Sequence, residues 1–159
     1  CFSSSAGMIT AFYGKVRTDD AYNKVRERFG DTTSIEAQIR ALRSLGLHAE
    51  FRQDADEYLI EAELAAARPV IVGWLHHGDM SRGEPPMCDS YGCGHWSVIV
   101  GFDKDNWIMH DPRGLPDLEK GGHSGRYGGK NAKISRQAFK QRWEVEGAGT
   151  GWVILVDDE

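Results

Sequence analysis

The hydrophobic rhythm of the chain changes once, near Pro69. Before it, apolar residues recur at the three-to-four-residue spacing of amphipathic helices. After it, short runs of β-branched and aromatic residues alternate with turns rich in Gly, Asp and Pro. Residues 3–13 read as a helix behind a serine run, with Ala6, Met8, Ile9, Ala11, Phe12 and Tyr13 on its apolar side and Gly14 as its stop. Residues 19–29 and 34–45 are further amphipathic helices. In the second, Ile35, Ile39, Leu42 and Leu45 share a stripe, Ser34 suits the N-cap and Gly46 the stop. A strand over 48–52 and a helix over 55–67, ended by Arg68-Pro69, complete this part.

Strands are expected at 70–75, 95–102, 107–110 and 152–156, the middle two forming a hairpin across Asp103-Lys104-Asp105-Asn106. Residues 114–131 read as a long glycine-rich surface loop and 135–142 as a last helix. Helices first and antiparallel strands second predict an α+β fold, one domain over 1–159, with a helical part (1–67) packed on one side of a sheet part (69–156).

Composition narrows the functions open to such a domain. The 159 residues carry 19 Lys+Arg against 24 Asp+Glu, a net charge of −5. There is no basic excess to release phosphate counterions, which argues against nucleic-acid binding. No apolar stretch approaches the roughly 20 residues of a membrane span, and no charged n-region with an apolar h-region opens the chain. No repeat of 20–50 residues is present. The sequence starts with Cys rather than Met, so processing or trimming upstream is expected. The three cysteines, Cys1, Cys88 and Cys93, cannot all pair with one another, so at least one thiol needs its own explanation.

Cys1 precedes a helix, His95 opens a strand in Gly94-His95-Trp96-Ser97, and Asp111 ends the partner strand in Met109-His110-Asp111-Pro112. A helix N-terminus favours a thiolate, and its unpaired N–H groups at Phe2 and Ser3 can stabilise an oxyanion once that thiolate attacks a carbonyl. A histidine must then move the proton while a third group holds the imidazole, and across a hairpin Asp111 can hold His95. Singly, each residue has an ordinary reading: Cys1 a buried thiol, His95 a packed strand residue, Asp111 a turn former before Pro112. The combination points to nucleophilic catalysis.

Four segments, Cys1-Phe-Ser-Ser-Ser-Ala6-Gly-Met8, Arg68-Pro69-Val70-Ile71-Val72-Gly73, Gly94-His95-Trp96-Ser97-Val98-Ile99-Val100-Gly101-Phe102 and Asp111-Pro112-Arg113-Gly114, resemble a papain-like cysteine peptidase. They are most similar to the bacteriocin-processing peptidases that cut after double-glycine leaders, and to their stand-alone relatives. Residues 135–143 with 151–156 resemble the same group's ending. The resemblance implies a papain-like fold, Cys1 as nucleophile, His95 as general base and acid, Asp111 as orienting residue, and neither metal nor organic cofactor. It also implies an oxyanion-hole glutamine a few residues upstream of the cysteine, where this sequence has nothing. Backbone donors, or the Cys1 α-amine acting as base, are the alternatives. Free-standing domains of this type suggest a lysin acting outside the cell or encoded by a phage, with a peptide or peptidoglycan cross-bridge as substrate and a monomeric state. The other readings are a catalytically inactive binding module of the same fold and a zinc-stabilised domain.

Cys88 and Cys93 bracket four residues, which suits a loop disulfide, two free thiols, or two zinc ligands joined by His76, His77 or His95. Adjacent His76 and His77 on a strand would point in opposite directions, which weakens the zinc reading. Among the five tryptophans, Trp96 beside His95 is the candidate for the substrate groove, and the others are expected in the core. His110 is expected to face away from Asp111. His123, in the glycine-rich loop, is expected to be exposed.

Overall fold

The structure, a computed structural model, describes residues 1–88 and 94–158. In chain order the elements are α1 (Phe2–Phe12), α2 (Asp19–Arg26), α3 (Ile35–Ser44), β1 (His48–Ala55), α4 (Glu57–Ala65), β2 (Val70–Trp74), a 3-10 turn (Met80–Arg82), β3 (His95–Phe102), β4 (Asn106–His110), β5 (Ala132–Ser135), α5 (Arg136–Trp143) and β6 (Gly151–Asp157). The strands form one antiparallel sheet in the order β1-β6-β2-β3-β4-β5.

Side chains alternate across the sheet and divide the core in two. On one face Ile71, Trp96, Val98, Ile154 and Val156 pack against Phe2, Ala6 and Ile9 of α1 and Ile39 and Leu42 of α3. On the other, Val70, Val72, Trp74, Ile99, Trp107 and Val153 meet Ile60 of α4 and Phe139 and Trp143 of α5. The α+β expectation holds, with two refinements. The helix after β1 lies on the face opposite α1–α3, and β1 itself joins the sheet through β6. An amphipathic stripe shows that a helix has an apolar side, not which face of the sheet receives it.

The sequence pattern missed β5. Its four residues alternate buried Ala132 and Ile134 with exposed Lys133 and Ser135, and pairing to β4 makes them a strand. So short an alternation is legible only beside its partner.

Helix starts follow side-chain chemistry. Thr18, Ser34, Asp56 and Ser135 each accept a hydrogen bond from a first-turn N–H of α2, α3, α4 and α5. The N-cap of α1 is Cys1, whose side chain makes no such bond. The end of β2 pairs with the start of β3 (Trp74 with His95), and Gly73 pairs with Trp152 near the start of β6, so one end of the sheet gathers all three strands.

Candidate active site

The head of α1 is tied to that end of the sheet. Phe2 stacks on Trp96 with ring centroids 4.0 Å apart, and the Ser5 hydroxyl donates to the Trp96 carbonyl at 2.9 Å. The Gln38 side-chain amide, from α3, donates to Ser3 Oγ at 3.0 Å and to the Thr32 carbonyl at 3.0 Å, bracing the first turn from behind. With no cap from Cys1, the N–H groups of the first turn, Phe2 and Ser3 included, have no intrahelical acceptor. Cys1 is exposed, and Arg113 and Asp111 both perturb its amine, Arg113 lowering the pKa and Asp111 raising it; burial is the largest influence and also lowers it. The nucleophile candidate thus lies within electrostatic range of Asp111.

His95 and Asp111 meet as the hairpin suggests, through a detail the sequence does not display. β3 and β4 pair Phe102 with Trp107 and Gly101 with Ile108, then shift by one so that Ile99 faces Met109 and Val98 faces His110. This bulge at Val100 puts Asp111 opposite Ser97, on the face that carries His95. Without it, Asp111 would oppose Val98 and point to the other side of the sheet. His95 Nε2 lies 2.8 Å from Asp111 Oδ2, both side chains fully buried. The Ser97 hydroxyl also donates to Oδ2 at 2.9 Å, and the Trp74 indole N–H donates to Ser97 Oγ at 3.1 Å. The Arg113 backbone N–H donates to Oδ1 at 2.8 Å.

Burial pushes the Asp111 carboxyl up, but the contacts from His123, His95 and Arg113 outweigh it and hold the group well below the usual carboxylate range. For His95 burial dominates and lowers its pKa, only partly offset by Asp111. The pair therefore rests as neutral imidazole beside carboxylate. Since Nε2 is engaged, Nδ1 is the nitrogen left for other work; it is buried and has no hydrogen-bond partner. No hydrogen bond links it to Cys1, and such catalytic contacts commonly tighten only when substrate binds.

Two histidines join this centre that the chain pattern did not single out for it. His123 was expected to be exposed; its side chain is only 10% exposed, with Nε2 3.1 Å from Asp111 Oδ1. The glycine-rich segment is no free surface loop but folds back on the site. Asp111 N–H donates to the Gly129 carbonyl at 2.8 Å and Gly122 N–H to the His76 carbonyl at 2.6 Å. A Cβ on Gly129 would fall 2.2 Å from the Asp111 carbonyl oxygen, and Gly114, at φ +117°, passes Gly125 as closely. His76 is buried with both ring nitrogens unpartnered, its ring 4.7 Å from that of His95, and burial together with His95 lowers its pKa to about 3. His76 and His77 follow the end of β2 and lie side by side, 4.1 Å apart, so strand alternation does not separate them. No spacing in the sequence links either histidine to His95.

His110 turns away as expected, its Nδ1 accepting from Asn131 N–H at 3.0 Å. Trp96 is largely buried between Phe2 and Gly73, and its edge lines a cavity of about 250 Å³ with Trp74, Trp143 and Trp152, beside the His95 segment. Cys88 also borders that cavity; its pairing with Cys93, and a zinc site built on the two, lie outside the described residues.

An uncapped helix headed by cysteine, set at the sheet end that carries a buried His–Asp pair, defines the architecture of a papain-like thiol hydrolase. Residues 1–123 match the family described as papain-like cysteine protease AvrRpt2, well over half of the chain, and the chain belongs to that family; it is a cysteine peptidase. Solved structures of peptidase domains share its fold. The peptidase domain of Streptococcus ComA, a bi-functional ABC transporter, aligns with TM-score 0.61 and 16% identity over 100% of this chain and 91% of that one. A C39-like peptidase from Bacillus anthracis gives 0.59 and 15% over 99% and 88%. A double glycine motif protease from an AMS/PCAT transporter, solved with its leader peptide, gives 0.56 and 19% over 98% and 82%. No curated protein sequence matches the chain.

Proposed function

We propose that the chain hydrolyses a peptide bond with Cys1 as nucleophile, His95 as proton carrier and Asp111 as the residue that orients His95. The observation that carries this is the buried Nε2–Oδ2 bond of 2.8 Å, which leaves His95 Nδ1 unpartnered near the head of α1. Nδ1 takes the Cys1 proton, and the thiolate attacks the scissile carbonyl carbon. The N–H groups of Phe2 and Ser3 bind the oxyanion. The imidazolium then protonates the departing amine, leaving a thioester. A water molecule, deprotonated by His95, hydrolyses the thioester to a carboxylate and restores the thiol. The aromatic cavity edged by Trp96 accepts an apolar substrate side chain, and the substrate is an extended peptide, a peptidoglycan cross-bridge being the form expected of a lysin.

Iodoacetamide at pH 6 tests the first step. Cys1 should alkylate at least about tenfold faster than free cysteine, and His95→Ala should abolish that excess. A Cys1 no more reactive than free cysteine overturns the assignment and favours a binding module of the same fold. Incubation with purified peptidoglycan, with release of new amino groups as the readout, tests the cross-bridge.

A further inference from the structure

His95, Asp111 and His123 each offer one ligand atom, and these atoms all lie within 4.8 Å of one another. Two imidazoles and one carboxylate at that spacing make a three-ligand face suited to a tetrahedral zinc ion with one open position. A second observation concerns the polar groups left over. Seven buried side-chain polar atoms among the described residues lack a hydrogen-bond partner, and four of them belong to His76, His95 and His123. Buried polar groups are ordinarily satisfied, and an ion on this face would meet the orphaned His123 Nε2 directly, while the two His76 nitrogens are not among its ligands. His123 reinforces this: its Nε2 sits at ion-pair distance from Asp111 but in an orientation that makes no hydrogen bond. The segment bearing it is held down by the Gly122–His76 backbone bond.

We infer that His95, Asp111 and His123 form a binding site for a divalent zinc ion, and that the bound ion switches the peptidase off. The inference rests on the catalytic reading of His95 and Asp111. An ion held by the three takes up a lone pair of the His95 imidazole and the carboxylate that orients it, so metal binding and peptide hydrolysis exclude one another. No covalent bond in the protein is broken: the His95–Asp111 hydrogen bond gives way to the ion, the imidazole proton moving to the other ring nitrogen, and removing the ion restores it.

The test uses Cys1→Ala protein, which removes the thiolate as a rival ligand and needs no turnover. Titration with zinc chloride in a calorimeter should show one ion per chain, and the thermal midpoint should rise with zinc concentration. Adding His123→Ala or the near-isosteric Asp111→Asn should weaken binding by about a hundredfold or more and abolish the rise. If the alanine variant loses its thermal transition, the asparagine variant decides. No saturable binding, or binding unaffected by Asp111→Asn, overturns the site. In the intact chain zinc should suppress hydrolysis and a chelator should restore it. Suppression there without binding to Cys1→Ala means that the thiolate holds the ion, and sinks the proposal. A chain that binds zinc as described but never cleaves a peptide refutes the catalytic reading alone.

Discussion

At Asp111 two imidazoles, a hydroxyl and a backbone N–H converge on one carboxylate, in the interior. A buried carboxylate is tolerated only with such partners, and the same partners fix the plane in which it meets His95. His95 and His110, on the two strands of the hairpin that ends at Asp111, should therefore behave differently. His95→Ala should lower kcat/KM by about 10²- to 10⁴-fold, the span of general acid–base catalysis, with the fold intact by circular dichroism. His110→Ala should lose only the bond to Asn131 and keep activity within a fewfold. The reverse pattern would mean that the wrong histidine holds the site. At this scale Cys1, His95 and Asp111 were legible because each sits at the end of a recognisable element, where spacing and chemistry coincide. His123 and His76 were not, because loops bring them in by backbone bonds that leave no periodic mark.

Among the elements, α5 does more than cover the sheet. Its Arg142 is fully buried and gives all its donors to backbone carbonyls: Leu118 and Glu119 on one loop, Leu75, His77 and Gly78 on the other. One guanidinium thus joins the segment carrying His76 to the segment leading to His123. Its fork reaches five acceptors, which a lysine ammonium with three donors cannot serve. Arg142→Met should destabilise the protein by about 3 kcal/mol, read from the denaturation midpoint, because several carbonyls are left buried and unpaired. Arg142→Lys should recover less than half of that loss. The helix itself, expected over 135–142, was readable along the chain, whereas an arginine near a helix C-terminus reads by default as a solvated charge.

For the whole molecule, the site buries the imidazoles of His76 and His95, and this makes the fold sensitive to acid. His76 is held near pKa 3 against an ordinary 6.5, so below pH 6.5 the unfolded chain binds a proton that the folded chain refuses. The corresponding stability is fully present above pH 6.5 and drains away as pH falls toward 3. His95, also lowered, acts in the same direction, and Asp111 adds its loss below the ordinary carboxylate range. The thermal midpoint should fall steadily from pH 7 to pH 4, and His76→Asn should flatten that slope. A midpoint insensitive to pH over this range would refute the account.

Local physical chemistry, written along the chain, was enough for the helices, five of the six strands, the cap at Ser34, the β3–β4 hairpin and the candidate trio of Cys1, His95 and Asp111. Those features depend on side-chain periodicity and on residues near one another in sequence or joined by a short turn. Tertiary structure alone decided the bulge that turns Asp111 toward His95, the face that receives α4, the pairing that makes β5 a strand, and the inward fold of the glycine-rich segment that delivers His123. Each of these depends on which distant surfaces meet and in what register, and a one-residue shift in register reverses the direction of every side chain on a strand.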